Sequence, residues 1–259
     1  MSQYSYITVS FLIFLLLPTP VLSDISVQDM LVLKGEETML CAKTTGKFFP
    51  QGGKLVEFFV NGKSLGKSLS GGDGIAYKQF TPQKTGLFHI SVKSDDDESK
   101  GLLLFRLSES LTLKKGDKVI FIDVVGSLFE GLFSRKPRER SQEVITQLSK
   151  RFSVVFLQTG LLNTKLLKSW LKEHKFVDLP ILLWQKGLIF DETIKKGLKI
   201  KAIIGNKYVI ESAKEYKPRL FSFEEAEDAE IVNEWGKIGE FLLKKKKSSY
   251  IDRTDNKNK

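Results

Sequence analysis

A run of apolar residues that ends in a single carboxylate constrains the fold of this chain more than any other feature. Residues 118–129 read Lys-Val-Ile-Phe-Ile-Asp-Val-Val-Gly-Ser-Leu-Phe. A short apolar run bounded by glycine is typical of a buried strand in a parallel sheet, and ligands of such sheets bind at the carboxyl ends of the strands. Asp123 therefore occupies the position of a nucleophile, whereas Val125, two residues later, cannot transfer a proton. The pattern indicates an active site that has lost part of its chemistry.

The N-terminal residues have the pattern of a secretory signal. Residues 9–17 form an apolar core that is too short to span a bilayer comfortably, and Pro18 and Pro20 end it. We expect residues 1–23 to be a signal peptide and the mature protein to be secreted or periplasmic. The segment before the core carries no Lys or Arg, and an uncleaved N-terminal membrane anchor is the alternative.

The 259-residue chain is strongly basic. It carries 41 Lys and Arg against 31 Asp and Glu, a net charge of +10. This excess indicates either a solvated surface or attraction to an anionic partner, such as a small phosphate ester, a lipid head group or a membrane surface. No nucleic acid partner is expected, since the chain has no zinc-finger spacing, RNA-binding motif or interleaving of aromatic and basic residues. Residues 244–259 are expected to form a basic, disordered tail.

Residues 24–107 are predicted to form an all-β domain. Short strands follow one another at even spacing, and Asn-Gly at residues 61–62 is a strong hairpin signal. This is the pattern of a β-sandwich. Residues 56–66 (Val-Glu-Phe-Phe-Val-Asn-Gly-Lys-Ser-Leu-Gly), with Phe-Thr-Pro at 80–82 and Gly-Leu-Phe-His-Ile at 86–90, resemble bacterial Ig-like domains. The resemblance implies a spacer, an adhesion module or a docking surface for a protein partner.

Residues 117–243 alternate between predicted strands and predicted helices, which implies a parallel sheet with helices on both faces. The predicted strands cover residues 119–122, 153–157, 181–184, 200–204 and 219–222, and the predicted helices cover residues 139–152, 164–174 and 224–243.

Several polar residues near the predicted strand ends are candidates for phosphoryl transfer. A carboxylate at a strand end can act as a covalent nucleophile, and the reaction also needs hydrogen-bond donors and cations around the phosphate oxygens. Asp123 is the candidate nucleophile and Thr159 the candidate phosphate-binding hydroxyl. Lys195 or Lys196, ahead of the fourth strand, is the candidate cation, and Asn206, after that strand, is a candidate metal ligand.

These motifs resemble the haloacid dehalogenase (HAD) superfamily. Its first motif is an apolar strand followed by D-x-D-x-T/V, to which Asp123, Val125 and Ser127 correspond. The resemblance implies a Rossmannoid sheet and a Mg²⁺ ion held by Asp123, the backbone carbonyl of Val125, and Asn206. It also implies that Ser127 and Gly160 bind the ligand.

The layout resembles most closely the lipin-type phosphatidate phosphatases and the related C-terminal domain of phosphatidylinositol-transfer proteins. Gly-Asn at residues 205–206 matches their fourth motif, but Ile210 replaces a metal-binding Asp. Too few residues separate the first motif from the second strand for a large helical cap, so a capless HAD-like domain is expected. Arg135 and Arg138 lie near the expected mouth of the site and are candidates for binding an anionic head group.

The replacements at Val125 and Ile210 both affect phosphoryl transfer. The first removes a proton donor that contributes ~10²–10⁴-fold in rate, and the second weakens a magnesium site. We therefore expect a degenerate domain that binds or senses an anionic ligand, by analogy phosphatidate, or a protein partner. The alternatives are a Mg²⁺-dependent phosphatidate or phosphomonoester phosphatase that uses Asp123, and an adhesion protein that uses its Ig-like face. A purely structural interpretation also stays open, in which Asp123 and Thr159 cap the turns after their strands.

Overall fold

The computed structural model describes residues 24–46, 49–94, 106–131 and 134–244. The expected signal peptide and residues 245–259 of the expected tail lie outside these ranges. The chain divides into two compact units. Of the described residues, the first unit contains those up to Gln28 and those within Glu37–Phe80 and His89–Ser108. The second unit contains those within Asp29–Glu36 and Thr81–Phe88 and those from Glu109 onward. Two short segments of the predicted all-β region therefore group with the second unit.

The N-terminal half of the chain is built from β-strands. These are β1 (Asp24–Val27), β2 (Met30–Leu33), β3 (Thr38–Thr45), β4 (Leu55–Val60), β5 (Lys63–Leu69), β6 (Ile75–Phe80), β7 (Gly86–Ser94) and β8 (Arg106–Leu113).

The first unit is an Ig-like β-sandwich, as predicted. One antiparallel sheet has the order β1-β3-β6, and β4 pairs antiparallel with both β5 and β7. Along β4 the side chains of Val56, Phe58 and Val60 are buried and alternate with half-buried neighbours, so each strand buries one face. Asn61 and Gly62 both have positive φ and form the predicted hairpin turn between β4 and β5.

The second unit contains the remaining elements. Its strands are β9 (Lys118–Asp123), β10 (Phe129–Gly131), β11 (Ser134–Pro137), β12 (Ser153–Gln158), β13 (Ile181–Leu183), β14 (Lys199–Ile204), β15 (Arg219–Ser222) and β16 (Glu230–Ile231). Its helices are α1 (Ser141–Ser149), α2 (Thr164–Glu173), α3 (Leu188–Lys195), α4 (Lys207–Glu211) and α5 (Trp235–Leu243).

A six-stranded parallel sheet with the order β13-β12-β9-β14-β15-β16 forms the centre of this unit. Alternate residues of β9 enter two separate apolar clusters, so the strand is buried on both faces. Ile120 and Ile122 pack in the cluster that contains α1, α2 and α5, whereas Val119 and Phe121 pack in the cluster that contains α3 and α4. The buried parallel sheet predicted from the apolar runs is therefore present.

Strand β2 is fixed to the second unit by side-chain contacts. It pairs in parallel with the end of β8, and Lys196 donates to the carbonyl of Leu31 over 2.7 Å. Just before β2, the buried Asp29 carboxylate forms an ion pair with Lys168 at 2.6 Å and accepts from the backbone N–H of Ile181 at 2.8 Å. These contacts explain why Asp29–Glu36 groups with the α/β unit.

Two of the predicted helices are longer than the helices in the structure. The helix predicted over residues 224–243 exists only as α5, because residues 223–234 instead form an irregular acidic connection that contains β16. Arg219 pairs with Glu230 at 3.1 Å, and Lys214 pairs with Glu227 at 2.7 Å, so tertiary ion pairs override the helical propensity of this stretch. Helix α1 is also shorter than predicted, and the β10–β11 hairpin before it was not predicted.

Candidate functional site

Three adjacent strands of the parallel sheet bring polar residues together at their carboxyl ends. Asp123 is the last residue of β9, Thr159 follows β12, and Asn206 follows β14 by two residues. The Thr159 hydroxyl donates to Asp123 Oδ1 over 2.5 Å, and the backbone N–H of Asn206 lies 3.3 Å from Asp123 Oδ2. The sequence therefore grouped these three residues correctly.

The Asp123 carboxylate is fully enclosed by protein. Its side chain has no exposed surface. Burial raises the pKa of this carboxyl above its usual value, and this effect outweighs hydrogen bonds from the Thr159 hydroxyl and from the backbone N–H groups of Gly126, Asn206 and Val125, which lower it. Hydrogen-bond donors therefore reach both oxygens of the carboxylate.

Close packing around the carboxylate depends on two glycines. A Cβ at Gly126 would lie 2.2 Å from Asp123 Oδ2 and 3.0 Å from the backbone nitrogen of Asn206. A Cβ at Gly205 would lie 3.0 Å from the Val209 side chain and 3.3 Å from the Asp123 Cβ. Only glycine allows the turn after β9, a single π-helical turn over Val124–Leu128, to approach the end of β14 so closely.

Asn206 has a second structural role. Its side-chain oxygen accepts from the backbone N–H groups of Tyr208 at 3.0 Å and Val209 at 3.1 Å, and so caps the N-terminus of α4. The oxygen that could coordinate a metal is therefore already bound to the helix.

The candidate ligand-binding residues have different environments. Ser127 is fully buried, its carbonyl accepts from Trp235 Nε1 at 3.0 Å, and its hydroxyl has no partner among the described residues. Gly160 lies exposed in the turn after β12 with a φ of +68°. The guanidinium of Arg138 stacks over the Phe223 ring at 4.3 Å. Partial burial lowers the pKa of Arg138, against the opposing charges of Glu130 and Glu224. Arg135 belongs to β11, and its side chain lies outside the described part of the chain.

The candidate lysines lie at the other edge of the sheet. Lys195 ends α3 and Lys196 follows it, so both precede the amino end of β14, whereas Asp123 lies at the carboxyl end of the neighbouring β9. Lys196 is bound to the Leu31 carbonyl. The structure does not bring either lysine to Asp123.

The donor set around Asp123 does not fit Mg²⁺, which prefers carboxylate and water oxygens in octahedral geometry. Asp123 is the only carboxylate among the grouped residues, Val125 has no side-chain ligand, and the Asn206 oxygen caps a helix. Within the described residues, no group of three or more His, Cys, Asp or Glu side chains could hold a metal ion.

Sequence reasoning missed some polar pairs of the α/β unit. Asp29 and Lys168 lie far apart in sequence, and nothing in their local patterns links them. Trp184 donates from Nε1 to Ser212 Oγ at 3.0 Å, beside three consecutive residues with positive φ, Gln185, Lys186 and Gly187. Of these three residues, only Gly187 is of a type that indicates a turn with positive φ in the sequence.

Comparisons with known structures find fibronectin(III)-like and Ig-like modules. No protein-family model and no curated protein matches the chain. Fibronectin(III)-like modules of CbhA from Clostridium thermocellum are 14% identical, with a TM-score of 0.27 over 35% of this chain and 98% of theirs. Human titin ZIg10 is 20% identical, with a TM-score of 0.26 over 37% of this chain and 80% of its own. A C-terminal fragment of intimin, in complex with the intimin-binding domain of its translocated receptor, is 13% identical, with a TM-score of 0.29 over 38% of this chain and 34% of its own.

The assignment to the HAD superfamily, including its closer resemblance to lipin-type phosphatases, is wrong. No family model supports it, and the solved structures reported above are Ig-like and fibronectin(III)-like domains. The residues that suggested it have another explanation, because an Asp after a strand and an Asn before a helix also serve as caps. The coarser prediction, a β-sandwich together with a parallel α/β sheet, is confirmed. Among the described helices, none is long and apolar enough to cross a membrane.

Proposed function

We propose that this protein is an exported binding protein. Its β-sandwich recognises a protein partner, and its α/β unit does not hydrolyse phosphate esters. The observation that carries the proposal is the state of Asp123, which has no exposed surface and whose oxygens accept from Thr159 and from backbone N–H groups. A nucleophile must reach the reacting atom of its substrate. Export is supported by the apolar core at residues 9–17, which precedes the described residues.

A protein partner is favoured over an anionic lipid or small molecule by the character of the accessible surfaces. The groups that would receive a phosphate are buried, since Asp123 and Ser127 have no exposed area and Thr159 is 6% exposed. The outer face of the β3–β6 pair, in contrast, presents Met39 and Tyr77, each 46% exposed. A contiguous exposed apolar patch is a candidate for a protein interaction site.

This outer face has a defined register. Cys41 of β3 lies directly opposite Tyr77 of β6, and Met39 lies opposite Gln79. Cross-strand neighbours of this kind lie about 4.5–5.5 Å apart. The three residues Met39, Cys41 and Tyr77 therefore form a continuous patch on the β-sandwich.

Two measurements test the proposal. The first is hydrolysis of p-nitrophenyl phosphate and of phosphatidate in the presence of Mg²⁺, where we expect the rate of a blank without protein. The second is crosslinking in the cells that produce the protein, comparing the wild type with a variant that carries Met39→Asp and Tyr77→Asp. Leu69→Asp is the control, because Leu69 is 63% exposed but lies on β5, which pairs in the other sheet.

We expect one crosslinked protein that the wild type and Leu69→Asp capture equally and that the double variant loses. Turnover by the wild type above the blank would overturn the non-hydrolytic part of the proposal. Equal capture by all three proteins would overturn the assignment of the binding surface to the β3–β6 face.

A further inference from the structure

Strand β6 lies at the end of its sheet and has a free main-chain edge. The first sheet of the β-sandwich has the order β1-β3-β6, and among the described residues no strand pairs with the other side of β6. An unpaired strand edge presents a row of N–H groups and carbonyls with which another extended chain can pair. The groups that are available depend on the register of β6 with β3.

The hydrogen bonds of this ladder determine which groups of β6 point outward. The N–H of Thr44 donates to the Gly74 carbonyl at 2.7 Å, and this pair continues the register of β3 with β6. Hydrogen-bonded and non-hydrogen-bonded pairs alternate along an antiparallel ladder. The residues of β6 that direct their N–H and carbonyl groups away from β3 are therefore Ile75, Tyr77 and Gln79.

The contacts of Ile75 agree with this alternation. Its N–H donates to Asp73 Oδ1 at 2.9 Å, and its carbonyl accepts from the Gly71 N–H at 3.0 Å, so both groups are bound by the turn before β6 and not by β3. The outward groups of Tyr77 and Gln79 have no comparable partner among the described residues. Each of these two residues offers one donor and one acceptor, so an antiparallel segment can form about four hydrogen bonds with this edge.

Lys78, between these two residues, gives the edge a charge preference. Its side chain shares the inner face of β6 with the buried Ala76. It extends toward β5, where its Nζ lies 3.2 Å from the position that a Cβ at Gly66 would take. It forms no ion pair with a carboxylate among the described residues. An inward-pointing charge on an edge strand opposes unspecific pairing, and opposite charges favour a strand pair, so this lysine selects a segment with a carboxylate at the facing position.

A second copy of the chain does not fit this edge. The antiparallel register that uses the available groups of both copies places Tyr77 of one copy opposite Gln79 of the other, and Lys78 opposite Lys78. Like charges directly opposite each other destabilise a strand pair. A register shifted one way meets the groups of Ile75, which the preceding turn already binds, and one shifted the other way runs past the end of β6 at Phe80. The edge therefore favours a different chain.

We propose that the protein partner of the β-sandwich binds by adding an extended segment antiparallel to β6. In this segment an acidic residue lies opposite Lys78, and apolar residues lie opposite Tyr77 and Gln79. The apolar residues extend the outer-face patch of Met39, Cys41 and Tyr77, while the main-chain hydrogen bonds provide the pairing. This inference rests on the proposed function and specifies how the partner binds.

The test is binding of synthetic peptides to the mature chain, followed by NMR titration into the millimolar range. The probe is acetyl-Ser-Thr-Val-Glu-Val-Thr-Ser-amide, in which Glu can face Lys78 and the two Val residues can face Tyr77 and Gln79. One modified peptide is N-methylated at the first Val and so loses a donor to β6. The matched control is N-methylated at Glu, whose N–H points away from β6 in this register. A further peptide carries Lys in place of Glu.

Two proline variants test the same edge from the side of the protein. Gln79→Pro removes an outward N–H of β6 and leaves the ladder with β3 intact. Leu69→Pro is the control. The Ser70 N–H donates to the Lys54 carbonyl at 2.8 Å, so Leu69 also directs its N–H away from the neighbouring strand, but it does so on β5 in the other sheet. Far-UV circular dichroism verifies that both variants are folded.

We expect the wild type and Leu69→Pro to bind the Glu peptide equally, and the amides of Tyr77 and Gln79 in the wild type to exchange more slowly when the peptide is bound. Methylation at the first Val, and separately Gln79→Pro, should each raise the dissociation constant about tenfold, the effect of one lost main-chain hydrogen bond. Methylation at Glu should change it little. The Lys peptide should bind severalfold more weakly, because it places a like charge opposite Lys78.

The inference is overturned if the wild type does not bind the Glu peptide, if the two methylations have equal effects, or if amide exchange at Tyr77 and Gln79 does not change. Equal binding by Gln79→Pro and Leu69→Pro, or equal binding of the Glu and Lys peptides, overturns it as well. The methylated peptides and amide exchange use the wild type, so they decide the matter even if Gln79→Pro does not fold. Crosslinking tests the proposed function separately: a partner captured through the β3–β6 face without peptide binding would refute only the strand addition.

Discussion

The hydroxyl of Thr159 donates to Asp123 over 2.5 Å and joins the carboxyl ends of the neighbouring strands β12 and β9. This contact gives the most conspicuous carboxylate of the chain a structural role. Asp123 also accepts from backbone N–H groups in the turn after β9 and from that of Asn206 after β14. Its side chain therefore connects the ends of β9, β12 and β14. Its removal should therefore affect stability and the pH dependence of stability.

Stability should depend on the ionisation of Asp123. Burial raises the pKa of this carboxyl in the folded state above its ordinary value of 3.8. The folded state then binds the proton more tightly than the unfolded state, so the free energy of unfolding should fall as the pH rises from about the ordinary value through the raised folded-state pKa. Below the ordinary value both states are protonated, and the dependence should disappear.

The check is urea denaturation at a series of pH values for the wild type and Asp123→Asn. The difference in the free energy of unfolding between the two should change with pH in this window, because the variant cannot titrate at this position. Asp178→Asn, at an exposed carboxylate, should retain the wild-type slope. A constant difference between the wild type and Asp123→Asn would contradict the prediction.

Gly126→Ala should disrupt the packing around the same carboxylate. The added Cβ would lie 2.2 Å from Asp123 Oδ2 and 3.0 Å from both the backbone nitrogen and the Cβ of Asn206. Overpacking of this kind costs about 1–3 kcal/mol. Gly131→Ala is the matched control, since a Cβ there meets nothing within 4 Å and the residue does not have a positive φ, and it should change stability by less than about 0.5 kcal/mol. Similar losses in both variants, measured by urea denaturation, would show that the close approach is not the cause.

The buried ion pair between Asp29 and Lys168 should contribute more than a surface pair. Asp29→Ala removes the acceptor of the Ile181 N–H and the 2.6 Å ion pair with Lys168, which should cost about 1–3 kcal/mol. Glu36→Ala removes the exposed 3.9 Å pair with Lys115 and should cost less than about 1 kcal/mol. Chemical denaturation of both variants measures the contrast. Equal effects would show that Asp29 does not anchor the segment that precedes β2.

Local sequence patterns predicted the parallel sheet because its strands are continuous apolar runs. Residues 119–122 and 153–157 lie within β9 and β12, and the alternation of their side chains between two cores follows from strand geometry. The hairpin turn at residues 61–62 could be predicted for a similar reason, because Asn and Gly both tolerate positive φ. These features depend only on neighbouring residues.

Features that depend on distant residues were not predictable. Residues 224–234 have helical composition, but Arg219 and Lys214 hold them in an irregular connection. Asp29 joins the α/β unit through Lys168 and Ile181, which follow it by more than a hundred residues. At the candidate site, the sequence placed Asp123, Thr159 and Asn206 together because strand ends share one edge. It could not show that Asp123 is fully buried or that the side-chain oxygen of Asn206 caps α4.

The two tryptophans that donate hydrogen bonds in the α/β unit should respond differently to substitution. Trp235 is fully buried, and its Nε1 donates to the Ser127 carbonyl at 3.0 Å, so Trp235→Phe leaves a buried acceptor without its donor and should cost about 1–3 kcal/mol. Trp184 is only half-buried, and its acceptor Ser212 Oγ also donates to the Val209 carbonyl at 2.8 Å. Trp184→Phe should therefore cost less than about 1 kcal/mol, since water can reach the freed hydroxyl. Urea denaturation followed by far-UV circular dichroism compares the variants without relying on tryptophan fluorescence, and a larger loss for Trp184→Phe would mean that the Trp235–Ser127 bond does not hold the turn after β9.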